Sequence, residues 1–498
     1  MNFIDLDYTP HKSNRLSARS SRLTRTTPAR LKTALGACWA LAGTLCIVVL
    51  LGWAQHERAA KTLGVDAAPS VVAAHKIRIH IETLDADLAN ELLGRPGEMT
   101  EYVVDFDKNR AEIGKQIVAA SKNITYGDAE LIPIQKIQDS LGRYLMAVQA
   151  AREAHVLGDQ ASVLGEYRRS YELLEKELVP AAIALNAAND GVLQATYEVQ
   201  KTASLRMLLL TLVVGGALVS LLVVTQAYVT RSFRRHLNPA LALATVMTAV
   251  FICYTFFQFV SHSLHMKGVK QDSYDSVAAL LDMRADVYEA NAAESRWLLD
   301  TQTRAKHERT FREYTAKLVS FSGGQTFEKA YAIAQRRNAL MADRMKKGDD
   351  PVTAGLYARA ELPLDGMDGA LKKALDNITF PDADPLKDEP TQSAETLRTF
   401  GVYYGLDARI RQHELAGNHA EAVRFCLSMK ESESNWAFFK FDQSLGNWLK
   451  LNEDWMNRYT EAAFADMAGL QYAAPVVSAL VAVLVFIGLR PRIREYSV

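Results

Sequence analysis

MLLLTLVVGGALVSLLVVTQAYVTRSFRRHLNPALALATVMTAVFICYTFFQFV, residues 207–260, holds two uncharged apolar runs, Met207 to Val229 and Pro239 to Val260, separated by a short basic loop, residues 230–238. Each run has about 20 residues, the length a helix needs to cross roughly 30 Å of hydrocarbon. Two further runs of the same kind lie outward of this pair, Thr33 to Ala54 and Leu470 to Leu489. The first has a longer apolar core than a secretory signal and about thirty residues ahead of it, so it reads as an anchor. With an apolar fraction of 49%, bulk composition decides little; the clustering of apolar residues into four spans decides the class.

Orientation follows from charge. Residues 1–32, the loop 230–238 and the tail 490–498 carry thirteen Lys and Arg against Asp5, Asp7 and Glu495. These segments therefore sum to +10, and because the chain is neutral and the spans uncharged, residues 55–206 and 261–469 sum to −10. The positive-inside rule places the basic pieces in the cytoplasm and the two large segments outside. Cys38, Cys46 and Cys253 fall in spans and Cys426 stands alone in the second outer segment, so no disulfide framework is expected within either outer domain.

Both outer segments read as helical bundles, rich in Ala, Leu, Glu, Lys and Arg. In the first, a helix follows Pro69 and ends at GRPGE, with further helices expected near Thr100 to Ala120, Asp128 to Val156 and Ala161 to Arg206, the last running into the second span. A slide of 206 residues aligns SVVAAHKIRIHIETLDADLANELL with SVAALLDMRADVYEANAAESRWLL, pairing Ser70 with Ser276 and Arg78 with Arg284, while Asp85 faces Asn291. The expectation is an all-α membrane protein with four transmembrane helices and two extracytoplasmic helical bundles, a tandem pseudo-repeat of span, bundle, span. In the second bundle TFPDADPLKDEPTQ, residues 379–392, reads as a loop before one final long helix, whose stripe Phe438, Phe441, Leu445, Trp448, Trp455, Tyr459 is core with Asn452 at its one polar inward place. Helices running unbroken from bundle to span would carry piston or rotation movements. Small residues at four-residue spacing, Gly216 and Ser220, then Ala240, Ala244 and Thr248, then Ala474, Ser478 and Ala482, would let the spans pack closely.

Catalytic motifs are missing. FSGGQ (321–325) resembles a transport-ATPase signature, but no phosphate-cradling GxxxxGK[ST] accompanies it, so it reads as a turn. His56, His262 and His265 gather near the outer membrane surface without a completing Cys or carboxylate, and read as interfacial histidines. The acidic run Asp382 to Glu389 lacks the Gly and distal Glu of a calcium loop. No enzyme, cofactor, metal or nucleic-acid partner is expected. The N-terminal segment interleaves Arg with hydroxyl residues from Ser13 to Thr33, suiting anionic lipid or, alternatively, a phosphate-acceptor role.

TPARL, LDADLANELL, HVLGDQASVLGEYRRS followed by ELVPAA, LNPALALA, YEANAAESRWLLD, HELAGNHAEAV and FFKFDQSL together resemble the GlnX-type four-span membrane proteins. That resemblance implies a relay: an extracytoplasmic amino-acid-binding protein is read outside, and a soluble serine/threonine kinase similar to protein kinase G is controlled inside. It implies no catalytic residues. The short inner segments agree, since an output domain of at least about 50 residues would not fit in them. Arg231, Arg234, Arg235, His236, Arg490, Arg492 and Arg494 are then the candidate contact for the cytoplasmic partner, with topology enforcement as the alternative. Two other readings stay open: a direct small-ligand sensor with its ligand near Arg78 and Arg284, and an envelope scaffold. The oligomeric state, homo-oligomer included, is also open, and the expected location is a bacterial inner membrane with both termini in the cytoplasm.

Overall fold

The structure, a computed structural model, describes residues 26–122, 124, 127–233, 237–378 and 388–495. In chain order the helices are α1 Thr27–Ala60, the π-helical π1 Lys61–Ala67, α2 Ala68–Leu93, α3 Thr100–Lys122, α4 Asp128–Leu157, α5 Gln160–Leu173, π2 Leu174–Leu178, α6 Val179–Phe233, α7 Pro239–Lys267, π3 Gly268–Tyr274 and α8 Asp275–Leu299. There follow α9 Arg304–Leu318, α10 Phe327–Lys346, α11 Pro351–Glu361, α12 Ala370–Leu375, α13 Glu389–Leu415, α14 His419–Leu427, α15 Ser434–Met467 and α16 Leu470–Arg494. A two-residue antiparallel pairing, β1 Ser320–Phe321 with β2 Met367–Asp368, interrupts the helices. FSGGQ is a turn, with Gly323 and Gly324 at φ +61° and +77°.

Local chemistry explains the element ends. Pro69 stands where π1 passes into α2; Ala67 before it is itself helical, so Pro69 lies within one helical run from Thr27 to Leu93 and not at a free helix start. Asp159, Asp350 and Asp388 cap α5, α11 and α13 by accepting backbone N–H bonds from Ser162, Val352 and Thr391. Gly158, at φ +72°, closes α4 with the left-handed residue such ends favour.

The chain divides into two compact units, one of Met1–Ala60, Glu198–His265 and Glu461–Val498, the other of Lys61–Tyr197 and Met266–Thr460. The first is the apolar unit. It contains the apolar stretches of four helices long and apolar enough to cross a membrane. Their shared core runs from Leu31 and Val49 through Leu218, Leu222, Leu241 and Ala244 to Val481 and Leu489. Ala244, Thr248 and Ala474 are buried as the small-residue spacing suggests, and the Ala482 carbonyl accepts from Trp39 Nε1 at 2.9 Å. Gly216 and Ser220 depart from the expectation: both face outward, and Gly215 makes the close approach, where a Cβ would stand 2.6 Å from Ile252. One residue turns a helix face by about 100°, and spacing alone cannot choose between adjacent glycines.

The second, polar unit has two hydrophobic cores. One is built from α2, α3, α4, α5 and the start of α6, around Phe106, Tyr144, Tyr167 and Leu185, and takes in Leu299 from α8. The other is built from α8 to α15, around Phe311, Phe400, Tyr403, Phe441 and Trp448, and takes in Ile79 from α2. α2 and α8 thus lie at the seam of both cores, which explains why α2 is buried on nearly every face.

The helix expected over Ala161 to Arg206 is present as one helical run of α5, π2 and α6, which carries a π-helical turn at Leu174–Leu178 and continues to Phe233. Two further expectations change. After the loop, of which residues 379–387 lie outside the described residues, α13 and α14 precede the long α15. α15 does not run unbroken into the fourth apolar stretch, because Gly469 at φ +82° ends it and begins α16.

Candidate functional site

α2 and α8 carry charges on the faces they turn toward each other. His75, Arg78, Glu82 and Asp85 on α2, with Asp282, Asp286 and Glu289 on α8, recur at three- and four-residue intervals, and Arg296 follows Glu289 seven residues on, two turns along the same face. Such spacing usually marks an apolar stripe. Here it marks a buried polar seam.

At one end the Arg296 guanidinium, with no solvent exposure, donates to Asp85 and Glu289 and stacks 4.3 Å above the Tyr171 ring. Tyr167 donates to the other Asp85 oxygen at 3.1 Å. Between the two arginines, Glu82 is fully enclosed, and burial together with the neighbouring Glu289 carboxylate pushes it well above the ordinary carboxylate range. Farther along, Arg78 donates to Asp286 at 2.6 Å and Asp282 at 3.2 Å. Burial raises Asp286; for Asp282 burial also pushes upward, but His75 and Arg78 prevail and lower it. Ser295 on α8 closes the seam by donating to Asn90 at 2.6 Å.

A second buried carboxyl lies beside this seam. Glu294 accepts from Ser434 at 2.8 Å, with the Cys426 thiol 3.5 Å away, and burial together with Asp407 raises it to about 8. Cys426 is the small buried residue that its isolation in sequence suggests.

Next to the seam, π1 and π3 meet the end of α15. A Cβ at Gly64 would fall 2.4 Å from Thr460, and one at Gly268 2.9 Å from the Tyr459 ring. Each π-helical turn leads directly into a central helix, α2 or α8. Ser70 donates back to the Asp66 carbonyl at 2.8 Å, and Ser276 to that of Asp272 at 3.3 Å. π-helical turns interrupt the regular ladder and concentrate at functional positions. The arrangement places two deformable turns against one helix.

The residues chosen from sequence fall as follows. Arg78 is in the seam, but Asp282 and Asp286 occupy it. Arg284 is gripped by both oxygens of Asp442, at 2.7 and 2.8 Å. In the apolar unit, Arg231, Arg490 and Arg494 are exposed, whereas Arg492 lies 5.3 Å over the Phe233 ring and pairs with Glu495. Asn238 Nδ2 donates to the Gly488 carbonyl at 2.7 Å, so the basic loop and the tail come together. Arg234, Arg235 and His236 lie outside the described residues. His56 and His262 are buried edge to face, ring centroids 4.5 Å apart, while His265 meets Asp466 at 2.6 Å. Among the described residues no three His, Cys, Asp or Glu side chains cluster as a metal would require.

Residues 59–198 match the family model of the actinobacterial sensor domain. The match covers under a third of the chain and coincides with the first segment of the polar unit, Lys61–Tyr197. It supports a sensor-type membrane protein, multi-pass by its four long apolar helices. No curated protein and no solved structure matches the chain. The matched segment contributes α2 to the seam, and α8 comes from the remainder of the polar unit.

Sequence reasoning passed over Glu82, Glu289, Glu294 and Arg296. A signal was present: charged residues at 3–4 spacing on two helices that also align with each other.

Proposed function

We propose that the protein is a non-catalytic signal-relay receptor subunit, with the sensor domain outside, both termini inside, and the output handed to a separate cytoplasmic kinase. The observation that carries this reading is α6, a single helix that begins within the sensor domain and ends at Phe233, beside the basic loop. A continuous helix transmits displacement because its hydrogen-bonded ladder resists compression and bending within each turn. A relay also needs a bistable element, and the charge seam between α2 and α8 is assigned that role within this proposal. The resemblance to the GlnX-type proteins supplies the partner classes: an extracytoplasmic solute-binding protein and a serine/threonine kinase.

The tandem pseudo-repeat is part of the proposal. π1 with the 26-residue α2, and π3 with the 25-residue α8, stand about 206 residues apart, and the aligned Ser70 and Ser276 make the same back-bond. Arg78 and Arg284 differ in partners, as fused copies that have taken separate tasks would.

The test is purification of the tagged full chain from native membranes, followed by identification of bound proteins. Recovery of both a solute-binding protein and a kinase, with kinase recovery lost on changing Arg490, Arg492 and Arg494 to Ala, supports the relay. A chain that retains neither partner under crosslinking sinks it. Sites labelled from outside the cell at Ser232 would refute the orientation.

A further inference from the structure

The second segment of the polar unit, outside the matched sensor domain, has an open groove between α13 and α15 with a volume of about 590 Å³. Gln392, Glu395, Thr399 and Val402 line it from α13, at 3–4 spacing, and Trp436, Lys440, Gln443 and Asn447 do so from α15. Two helices presenting such stripes normally close on each other. Here polar side chains hold the space open.

Three observations make this groove more than a gap. First, the Lys440 ammonium has no carboxylate partner among the described residues; its recorded contacts are the Trp436 and Phe439 rings, at 6.0 and 5.9 Å. The arginine that lines the groove, Arg398, is engaged by Glu395. Secondly, Thr399 and Ser444 bring buried hydroxyls together at the floor, 2.8 Å apart. Thirdly, Ser432 at the mouth has φ +67°, the one non-glycine residue in the left-handed region among the described residues, a conformation such residues seldom hold without a local reason.

The groove therefore offers one cation without a carboxylate partner among the described residues, amides from Gln443 and Asn447, and an apolar wall of Trp436 and Val402, over a floor where the Thr399 and Ser444 hydroxyls are held by each other and by backbone carbonyls. We propose that it binds a small polar molecule bearing a single carboxylate, with Lys440 against the carboxylate and Trp436 against the body. One free ammonium matches one negative charge. A phosphate at nearly two charges would leave charge uncompensated, because Arg398 is already held by Glu395. The volume admits a ligand of one or two rings or residues. A sugar acid and a short peptide C-terminus share this chemistry. The site is an input separate from the relay, and does not depend on it.

Titration calorimetry on the full chain in detergent micelles tests it, with glucuronate and glycylglycine as the two carboxylate probes and glucose as the neutral one. The expected result is saturable binding of at least one carboxylate and none of glucose. The probe that binds identifies the source class. Lys440→Gln weakens that binding about tenfold or more, the usual scale for a lost charge-assisted contact. Asn447→Leu, on an exposed position that cannot unfold the core, weakens it as well. Two flat carboxylate titrations overturn the proposal, and so does binding that ignores both substitutions or is matched by glucose. A flat result leaves the relay reading untouched, since that reading rests on other helices.

Discussion

Arg296 on α8 donates to Asp85 on α2 with both side chains wholly shielded from solvent, so the two halves of the polar unit are joined by a buried ion pair. Removing one partner strands the other, and burial of an unpaired charge costs about 3–5 kcal/mol. Arg296→Met is therefore expected to lower the thermal midpoint of the purified protein strongly, because it exposes Asp85 and Glu289 to each other without a counter-charge. Arg312→Met removes the Glu308 pair at an exposed site and is expected to cost much less. Melting curves of the two variants, measured side by side, check the ordering.

The buried carboxyls predict a pH dependence with a definite sign. Glu294 and Asp87 stand at about 8 in the folded protein, raised chiefly by burial, against 4.5 and 3.8 for the free groups. Between those limits the folded state holds protons that the unfolded chain releases, so stability declines as pH rises. His56 and His307, each lowered to about 3 mainly by burial, act in the opposite sense below pH 6.5. Above that value the carboxyls act alone. The melting midpoint is expected to fall from pH 6.5 to 8, and Glu294→Gln to flatten the slope while keeping an acceptor for Ser434. A wild-type midpoint that rises over this range contradicts the assignment.

Adjacent glycines separate packing from pattern. Gly215→Val drives a side chain into Ile252 and is expected to cost about 1–3 kcal/mol of stability by overpacking. Gly216→Val meets nothing within 4 Å and should be close to neutral. Yield and thermal stability in detergent distinguish the two.

The π-helical turns give a test of coupling. Gly64→Val forces a side chain against Thr460, and Gly268→Val one against Tyr459. Both are expected to leave the two cores of the polar unit intact by circular dichroism while reducing the response of a bound kinase to the extracytoplasmic partner. Unchanged signalling in both variants would remove the turns from the relay.

Much of this architecture was legible in the chain itself. Four uncharged stretches of membrane length need no tertiary information, since the cost of leaving a charge or an unpaired backbone in hydrocarbon is local to each stretch. Helix starts near Thr100 and Asp128 followed from breakers that act within one turn, whereas Pro69 proved to lie inside a helical run that begins at Thr27. Ala244, Thr248 and Ala474 were found by spacing. The Asn452 position held too, but its partner Glu389, which accepts from both Trp448 and Asn452, comes from a helix 63 residues away.

What only the tertiary structure decided is which charges are inside. Lys, Arg, Asp and Glu are read as solvent-facing because an unpaired charge is costly to bury. In α2 and α8 that cost is offset by partners on the opposing helix, and the pairing exists only once two segments about 206 residues apart are side by side. The same holds for Gly215 against Gly216 and for the groove at Lys440. Each depends on the rotation of one helix against another, which packing sets and local sequence does not.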